Sequence, residues 1–301
     1  MKEYQASLTS MITAYMRAYH SMHATKIIFD DFLAYNLLPE EKRVLIEQHY
    51  AQDNQLNKSD DGELGSDLTN ILPPLTKTNF IICRARYTED TIEKAVKQGV
   101  KQYVILGAGL DTFAFRRPDL LEQLDVFEVD HPSTQVFKLN RIAELGWEHP
   151  AKLHFVPVDF TKESLENVLS HSSSYDPTAK TFFSWLGVTR YLTGDEVFAT
   201  FRSITKISPS GSTIIFNYTD LDAFNPEKFP QMQRSHEFFS KIGEPVKTGF
   251  DPSTLAEDLS CLGLRLEENL NHDDIERLYF QGNTDEYHIN KHGHIACAVV
   301  E

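Results

Sequence analysis

Cysteine is scarce and scattered. The chain holds three, Cys83, Cys261 and Cys297, and no CxxC pair. An odd, dispersed set excludes a disulfide framework and a metal-thiolate module, and it fits a reducing compartment. Basic charge is also in deficit. Lys and Arg number 29 against 44 Asp and Glu, for a net charge of −15. Nucleic-acid binding needs a basic face to neutralise phosphate, and an anionic membrane surface draws in basic segments. Neither partner is therefore expected. No apolar run approaches the length of a membrane span, and Met1-Lys2-Glu3-Tyr4-Gln5 lacks the regions of a secretory signal. These absences predict a cytoplasmic protein. The chain also lacks internal repeats and any linker dividing two cores, which predicts one domain over residues 1–301. Its hydrophobic content, 41%, is ordinary for a chain with a full core.

One stretch organises the rest. Tyr103-Val104-Ile105-Leu106 reads as a strand buried on both faces. It runs into Gly107-Ala108-Gly109, where glycine permits a sharp turn and the close approach of a ligand. A helix is expected from about Leu110 to Arg117, stopped by Pro118, with its free N–H groups directed at whatever sits over the glycines. A second strand, Val126-Phe127-Glu128-Val129-Asp130, ends in an acid placed to accept hydrogen bonds from two ribose hydroxyls. Strand alternation puts Glu128 and Asp130 on one face, but only Asp130 stands at the carboxyl end. Strand, glycine turn, helix and acid-tipped strand make a nucleoside-binding half.

Around it, strands and helices alternate. Leu8, Met11, Ile12, Tyr15, Met16 and Tyr19 keep the spacing of a one-faced helix, with Arg17, His20 and His23 near its end. A short helix after Phe29-Asp30-Asp31 and another from Pro39-Glu40-Glu41 to about Tyr50 complete a helical cap over about residues 1–80. Residues Ala51 to Asn70 read as a long acidic loop without calcium-loop spacing, ended by Pro73-Pro74. Arg84 and Arg86 adjoin the apolar run Phe80-Ile81-Ile82-Cys83, and Thr88 is expected to cap a helix that Gly99 stops. Further strands are expected at Lys152–Val156, Thr181–Leu186, Ser212–Tyr218, Leu264–Leu270 and His294–Val300. Helices are expected to open at Pro132, at Thr161, at the capping box Thr193-Gly194-Asp195-Glu196 and at Asp251-Pro252. Residues 220–249 look like an inserted lid. His288, His292 and His294 cluster, but no cysteine or carboxylate completes a metal site, so no metal is expected. The pattern predicts an α/β fold: a doubly wound sheet under an N-terminal helical cap.

A nucleoside pocket of this kind serves two main chemistries. In a nicotinamide oxidoreductase, GxGxxG needs a last glycine where this chain has Thr112. A methyltransferase using S-adenosylmethionine binds no pyrophosphate and tolerates a looser turn. It needs an acid for ribose, a pocket for adenine and a cation for the methionine carboxylate. A non-catalytic nucleoside-binding protein is the third reading.

Here the motifs resemble a known family. Val104-Ile105-Leu106-Gly107-Ala108-Gly109-Leu110-Asp111-Thr112 with Phe115-Arg116, and Phe127-Glu128-Val129-Asp130-His131-Pro132, are similar to signatures of the leucine carboxyl methyltransferase-like family. The Arg-x-Arg-Tyr segment at Arg84, Asp159-Phe160 and Trp185-Leu186-Gly187-Val188-Thr189-Arg190-Tyr191-Leu192 follow in the family's order, so the resemblance runs from about Met16 onward. It implies a seven-stranded, Rossmann-like methyltransferase sheet with S-adenosylmethionine as donor. It also implies O-methylation of a carboxylate or acidic hydroxyl on a small molecule or a protein C-terminus. By position, the resemblance gives Arg86 the methionine carboxylate, with Arg84 second. Gly107 then contacts the cofactor through its backbone, Asp130 holds the ribose and Asp159-Phe160 the adenine. Ala108, Gly109, Asp111, Trp185 and Leu186 complete the expected cofactor-binding set. Better-known members have Glu where this chain has Leu186, which removes a polar contact near the methionine moiety. No residue stands out as a base; His20, His23 and Tyr191 are the candidates.

Overall fold

The sheet grows outward from the strand that enters the glycine turn. The computed structural model describes residues 6–56, 79–225, 227, 236, 237, 239–280 and 291–301. In it β1 (Gln102–Leu106) is buried along its whole length, as a central parallel strand requires. It pairs in parallel with β2 (Asp125–Asp130) on one side and β4 (Thr181–Trp185) on the other. β3 (Leu153–Pro157) extends the sheet past β2, and β5 (Thr213–Thr219) extends it past β4, both parallel. β6 (Leu264–Leu270) and β7 (Gly293–Val300) complete the order β3-β2-β1-β4-β5-β7-β6, with β7 antiparallel to both neighbours. This is the doubly wound sheet expected from the sequence, with one antiparallel strand inserted near an edge.

Strand alternation sorts the core into two layers. Val104, Leu106, Phe127, Val129, Phe183 and Trp185 share a layer with Phe201 and Ile204 of α9 (Gly194–Ile207). Tyr103, Ile105, Val126 and Phe182 share the other with Cys83, Tyr87 and Ile92 of α4 (Asn79–Lys97). Each fully buried side chain of this size contributes about 1.5–3 kcal/mol. A third cluster joins α1 (Leu8–His23) and α2 (Ala34–Leu37) to Leu110 and Ile142, which seats the cap beside the glycine turn.

Several expected boundaries shift, each for a local reason. α4 is one helix that begins at Asn79, not Thr88. Its buried residues Ile82, Cys83, Tyr87, Ile92, Ala95 and Val96 form one helical stripe. Thr88 lies mid-helix, and its hydroxyl donates back to the Arg84 carbonyl at 2.8 Å. α3 (Glu40–Leu56) carries through the first residues of the expected acidic loop; residues 57–70 and Pro73-Pro74 lie outside the described residues. The helix expected over Leu110–Arg117 shrinks to α5 (Phe113–Arg116), because the Asp111 carboxylate accepts the Phe113 N–H at 2.7 Å and turns the chain first. Pro118 opens a second short helix, α6 (Pro118–Leu121), at the position where a missing N–H costs least.

The sequence start at Thr161 fails likewise. Asp159 takes the Thr161 N–H and hydroxyl into a turn, and α8 (Leu165–Ser170) begins only after the Ser164 cap. Asp251 holds Ser253 N in the same way at 2.8 Å, so that helix starts at Leu255. α7 (Pro132–Glu144) and the reciprocal Thr193–Glu196 capping box form as expected. Within the expected lid, Leu221–Phe224 makes a short 3-10 turn and Asp220 bridges Phe250; residues 226, 228–235 and 238 lie outside the described residues. No described helix is long and apolar enough to cross a membrane.

Candidate active site

The carboxyl ends of β1, β2, β4 and β5 converge on one edge, and Gly107 lets them do so. Its φ is +70°, and a Cβ there would lie 2.2 Å from Val188 Cγ2, in the segment that leaves β4. Gly107 N and Ala108 N both donate to the Val129 carbonyl, at 2.7 and 3.2 Å. Gly109 N donates to Asp130 Oδ2, and His131 N donates to Asp130 Oδ1 at 2.6 Å. Two lone-pair sites of Asp130 are thus spent on orientation, and two remain for a ligand's hydroxyls. Burial pushes Asp130 up to about 6 against the pull of those two N–H groups. Glu128, on the preceding alternate position, is instead buried against Lys138 of α7.

This corrects one expectation: the turn's own N–H groups are answered by β2, so no long helix aims free donors at a ligand. Asp111 accepts the Phe113 N–H through one oxygen. Thr112 donates to buried Asp31, which also binds Arg17 Nε at 2.8 Å and lies 3.4 Å from Arg116 Nε. Arg116 in turn pairs with Glu89 of α4. Thr112, Phe115 and Arg116 of the motif therefore lock the cap to the sheet.

Beyond β3, Asp159 accepts the Thr161 hydroxyl at 2.7 Å and lies 3.0 Å from Lys162 Nζ. Burial opposes its ionisation, but Thr161 and Lys162 outweigh it and hold the carboxyl at about 2. The Phe160 ring rests 6.2 Å from the ring of Trp185. Trp185 is fully buried, edge-on to Phe201, and its indole Nε1 has no hydrogen-bond partner among the described residues. Leu186 packs against the layer of Cys83 and Tyr87.

The two arginines part. Two residues apart on one helix, they project about 200° from each other. Arg86 Nη2 lies 2.6 Å from Asp90 and 3.8 Å from Glu93, on its own helix. Arg86, to which the resemblance gave the methionine carboxylate, is thus turned to carboxylates of its own helix. Arg84, on the other side of the helix, faces the ends of β4 and β5. Its Nη1 donates to Asn217 Oδ1 at 3.2 Å, and the same oxygen accepts Gly187 N at 2.6 Å. A Cβ at Gly187 would sit 2.9 Å from Arg84 Nη2, so glycine makes the room. No carboxylate among the described residues pairs with Arg84. Burial and the nearby Arg17 and Arg190 cations lower its pKa to about 10.

Of the candidate bases, only Tyr191 is near this edge. His20 Nε2 accepts the Ile28 N–H at 2.9 Å, and burial lowers its pKa; it is a structural histidine. His23 is exposed, its ring tilted against that of Tyr19 at 4.3 Å. Tyr191 closes the short Thr189–Tyr191 turn after β4, faces Phe239 at 6.1 Å, and has its phenol pKa raised by burial. Sequence reasoning missed Glu244. Its carboxylate accepts Leu8 N at 3.0 Å and the Thr9 hydroxyl, tying the 220–249 segment to the first turn of α1. Ser10 of that turn lies against Gly109. No local pattern signals a contact across 236 residues. His292 Nδ1 sits 2.9 Å from Asp220; His288 lies outside the described residues. No grouping able to hold a metal occurs among the described residues.

A profile of the leucine carboxyl methyltransferase family matches residues 10–205. The chain belongs to this family of methyltransferases. A Bacillus subtilis protein named as an S-adenosyl-L-methionine-dependent methyltransferase, YktD, is 38% identical over 297 residues, covering 95% of each chain. A Mycobacterium avium protein of the same description is 30% identical over 214 residues, 69% of each. Among solved structures, a DUF574 family protein from Streptomyces avermitilis has a TM-score of 0.59 at 13% identity, covering 99% of both chains. One from Thermobifida fusca, titled as a methyltransferase, has 0.58 at 14%, covering 95% of this chain and 94% of its own. At such identities the structures speak to the fold.

Proposed function

We propose that this family member transfers a methyl group from S-adenosylmethionine to an oxygen of a small molecule, a carboxylate or an acidic hydroxyl. The observation that carries the reading is Arg84. A withdrawn guanidinium with like charges beside it and no carboxylate partner among the described residues is costly, and an anion on the ligand resolves the cost. The methionine carboxylate is such an anion, and the fork of Arg84 suits it bidentately. The spare lone pairs of Asp130 would take the ribose hydroxyls. Asp159 and Phe160 would take the adenine. When bound, the donor supplies a methyl on a positive sulfur; the acceptor oxygen's electron pair forms the new bond and sulfur keeps the pair of the broken one. α1 and Glu244 would exclude water over the turn.

The acceptor class follows from what is committed elsewhere. His20 is occupied by Ile28, and Asp111, Asp130 and Glu244 each already accept backbone N–H groups. An acceptor ionised at neutral pH needs no base. Arg190, which no carboxylate among the described residues pairs with, favours it. Calorimetry tests the donor: S-adenosylhomocysteine should bind, and binding of NAD in its place would reject the assignment. Labelled-methyl transfer onto a metabolite extract tests the acceptor. An ester releases label as methanol in mild base and an ether keeps it, while label on nitrogen or carbon would reject O-methylation.

A further inference from the structure

A second cation at this edge is also unanswered. Arg190, one residue before Tyr191, holds its guanidinium 4.8 Å over the Phe239 ring and 5.6 Å from the Tyr191 ring. Its backbone is fixed, since the Arg190 carbonyl accepts Lys247 N at 2.7 Å. Its Nε is buried without a hydrogen-bond partner, and no carboxylate among the described residues pairs with it. His236 presents a second buried ring nitrogen, Nε2, with no partner, and its ring lies 4.9 Å from Phe224. Glu244, in the same segment as Phe239, is spent on Leu8 and Thr9. Arg190 lies three residues beyond Gly187, against which the Arg84 guanidinium rests, so the one segment leaving β4 brings both cations to this edge.

The charges then decide. The donor carries one carboxylate, and Arg84 answers it. Arg190 still lacks an anion, and its surroundings are Phe239, Tyr191 and, through His236, Phe224. We infer that Arg190 binds the anionic group of the acceptor and sets specificity for an organic carboxylate with a flat apolar body. Guanidinium hydrogen bonds to the acid supply the charge selection. The aromatic wall supplies the preference for an apolar body over a small anion. This inference rests on the methyltransferase reading and goes beyond it by naming the acceptor's anchor.

The test uses full-length protein saturated with S-adenosylhomocysteine and titrated with 1-naphthoate, neutral 1-naphthamide and acetate. Naphthoate should bind about tenfold or more tighter than either of the others. Arg190→Gln should erase the preference for naphthoate over naphthamide while leaving S-adenosylhomocysteine affinity within about twofold. Thermal melts report whether each variant folds. If Arg190→Gln does not, Arg190→Lys carries the test: it should weaken naphthoate and spare naphthamide. Equal binding of acid and amide, acetate binding as well as naphthoate, no binding of any carboxylate, a preference that survives Arg190→Gln, or a loss of S-adenosylhomocysteine in that variant would each overturn the inference. Failure of the wild-type protein to bind S-adenosylhomocysteine would instead overturn the methyltransferase reading, so the two failures are separable.

Discussion

The two halves of the sheet edge are finished differently. At the end of β1 and β2, the protein answers the backbone donors of its own turn and balances its buried charge. Gly107, Ala108 and Gly109 give their N–H groups to Val129 and Asp130, and Glu128 pairs with Lys138 through one of its two oxygens. At the end of β4 and β5, Arg84 and Arg190 have no carboxylate among the described residues, and the indole of Trp185 has no acceptor. The first half is a rigid scaffold whose geometry exists without a ligand. The second holds two cations that no carboxylate among the described residues balances. Substitutions in the first should therefore cost stability, and those in the second should cost binding.

The largest effect is expected at Gly107. Alanine there combines a left-handed backbone with a methyl driven into Val188, for about 2–4 kcal/mol of lost stability in denaturant unfolding. Val188→Ala in the same chain should return part of it. A loss below about 1 kcal/mol would break the claim that the turn is steric.

Arg84→Gln probes the other half with the opposite sign on stability. Removing an unpaired, withdrawn charge should leave the ligand-free protein as stable as wild type or more so. The same change should weaken S-adenosylhomocysteine by about 1.5–3 kcal/mol and spare adenosine, which has no carboxylate. Equal losses for both ligands would make Arg84 structural. Thr112→Val sharpens the contrast from the scaffold side. It removes a donor to buried Asp31 and should cost about 1–3 kcal/mol of stability, with donor affinity unchanged.

What was legible in the sequence follows the same division. The scaffold half was readable because backbone geometry restricts the residue: only glycine fits at 107, and an acid at 130 ends a strand of known register. β-strand positions and the Thr193 capping box were readable for similar local reasons. The guest half depends on rotation and on distant contacts. Arg84 and Arg86 differ by two positions, and only knowing that α4 begins at Asn79 fixes which one turns inward. Thr88 looked like a cap because a threonine before two acids usually is one, yet the apolar stripe continues through it. The bonds of Asp111 to Phe113 and of Thr112 to Asp31 could not be read from spacing. Glu244 and Arg190 are single charges in stretches without periodicity.

Asp130 joins the halves through pH. Its folded pKa, about 6, stands above the ordinary carboxyl value because burial penalises the charge. Its contribution to folding is thus fully present below the unfolded pKa and is lost as pH rises through about 6. Ribose hydroxyls donate to the ionised form, so binding runs the other way. Donor affinity should fall as pH drops below about 6, approaching a factor of about ten per unit, and Asp130→Asn should bind weakly with a flat profile. Calorimetry from pH 5 to 8 checks this, and a wild-type profile as flat as that of Asp130→Asn would remove Asp130 from the ribose.

The smallest effect is expected at Arg86, and it is the most discriminating against the family-based assignment. Arg86 is bound to Asp90 one turn ahead on its own helix and approaches Glu93. Such half-exposed pairs are worth about 0.3–0.5 kcal/mol. Removing the side chain leaves Glu93 its contact with Arg117 at 2.6 Å, so the local charge remains partly balanced. Arg86→Ala should therefore lower stability by no more than about 0.5 kcal/mol and leave the affinities for S-adenosylhomocysteine and adenosine where they are. If Arg86→Ala weakens S-adenosylhomocysteine about tenfold while Arg84→Gln does not, α4 presents the opposite face to the donor. The carboxylate site then belongs to Arg86.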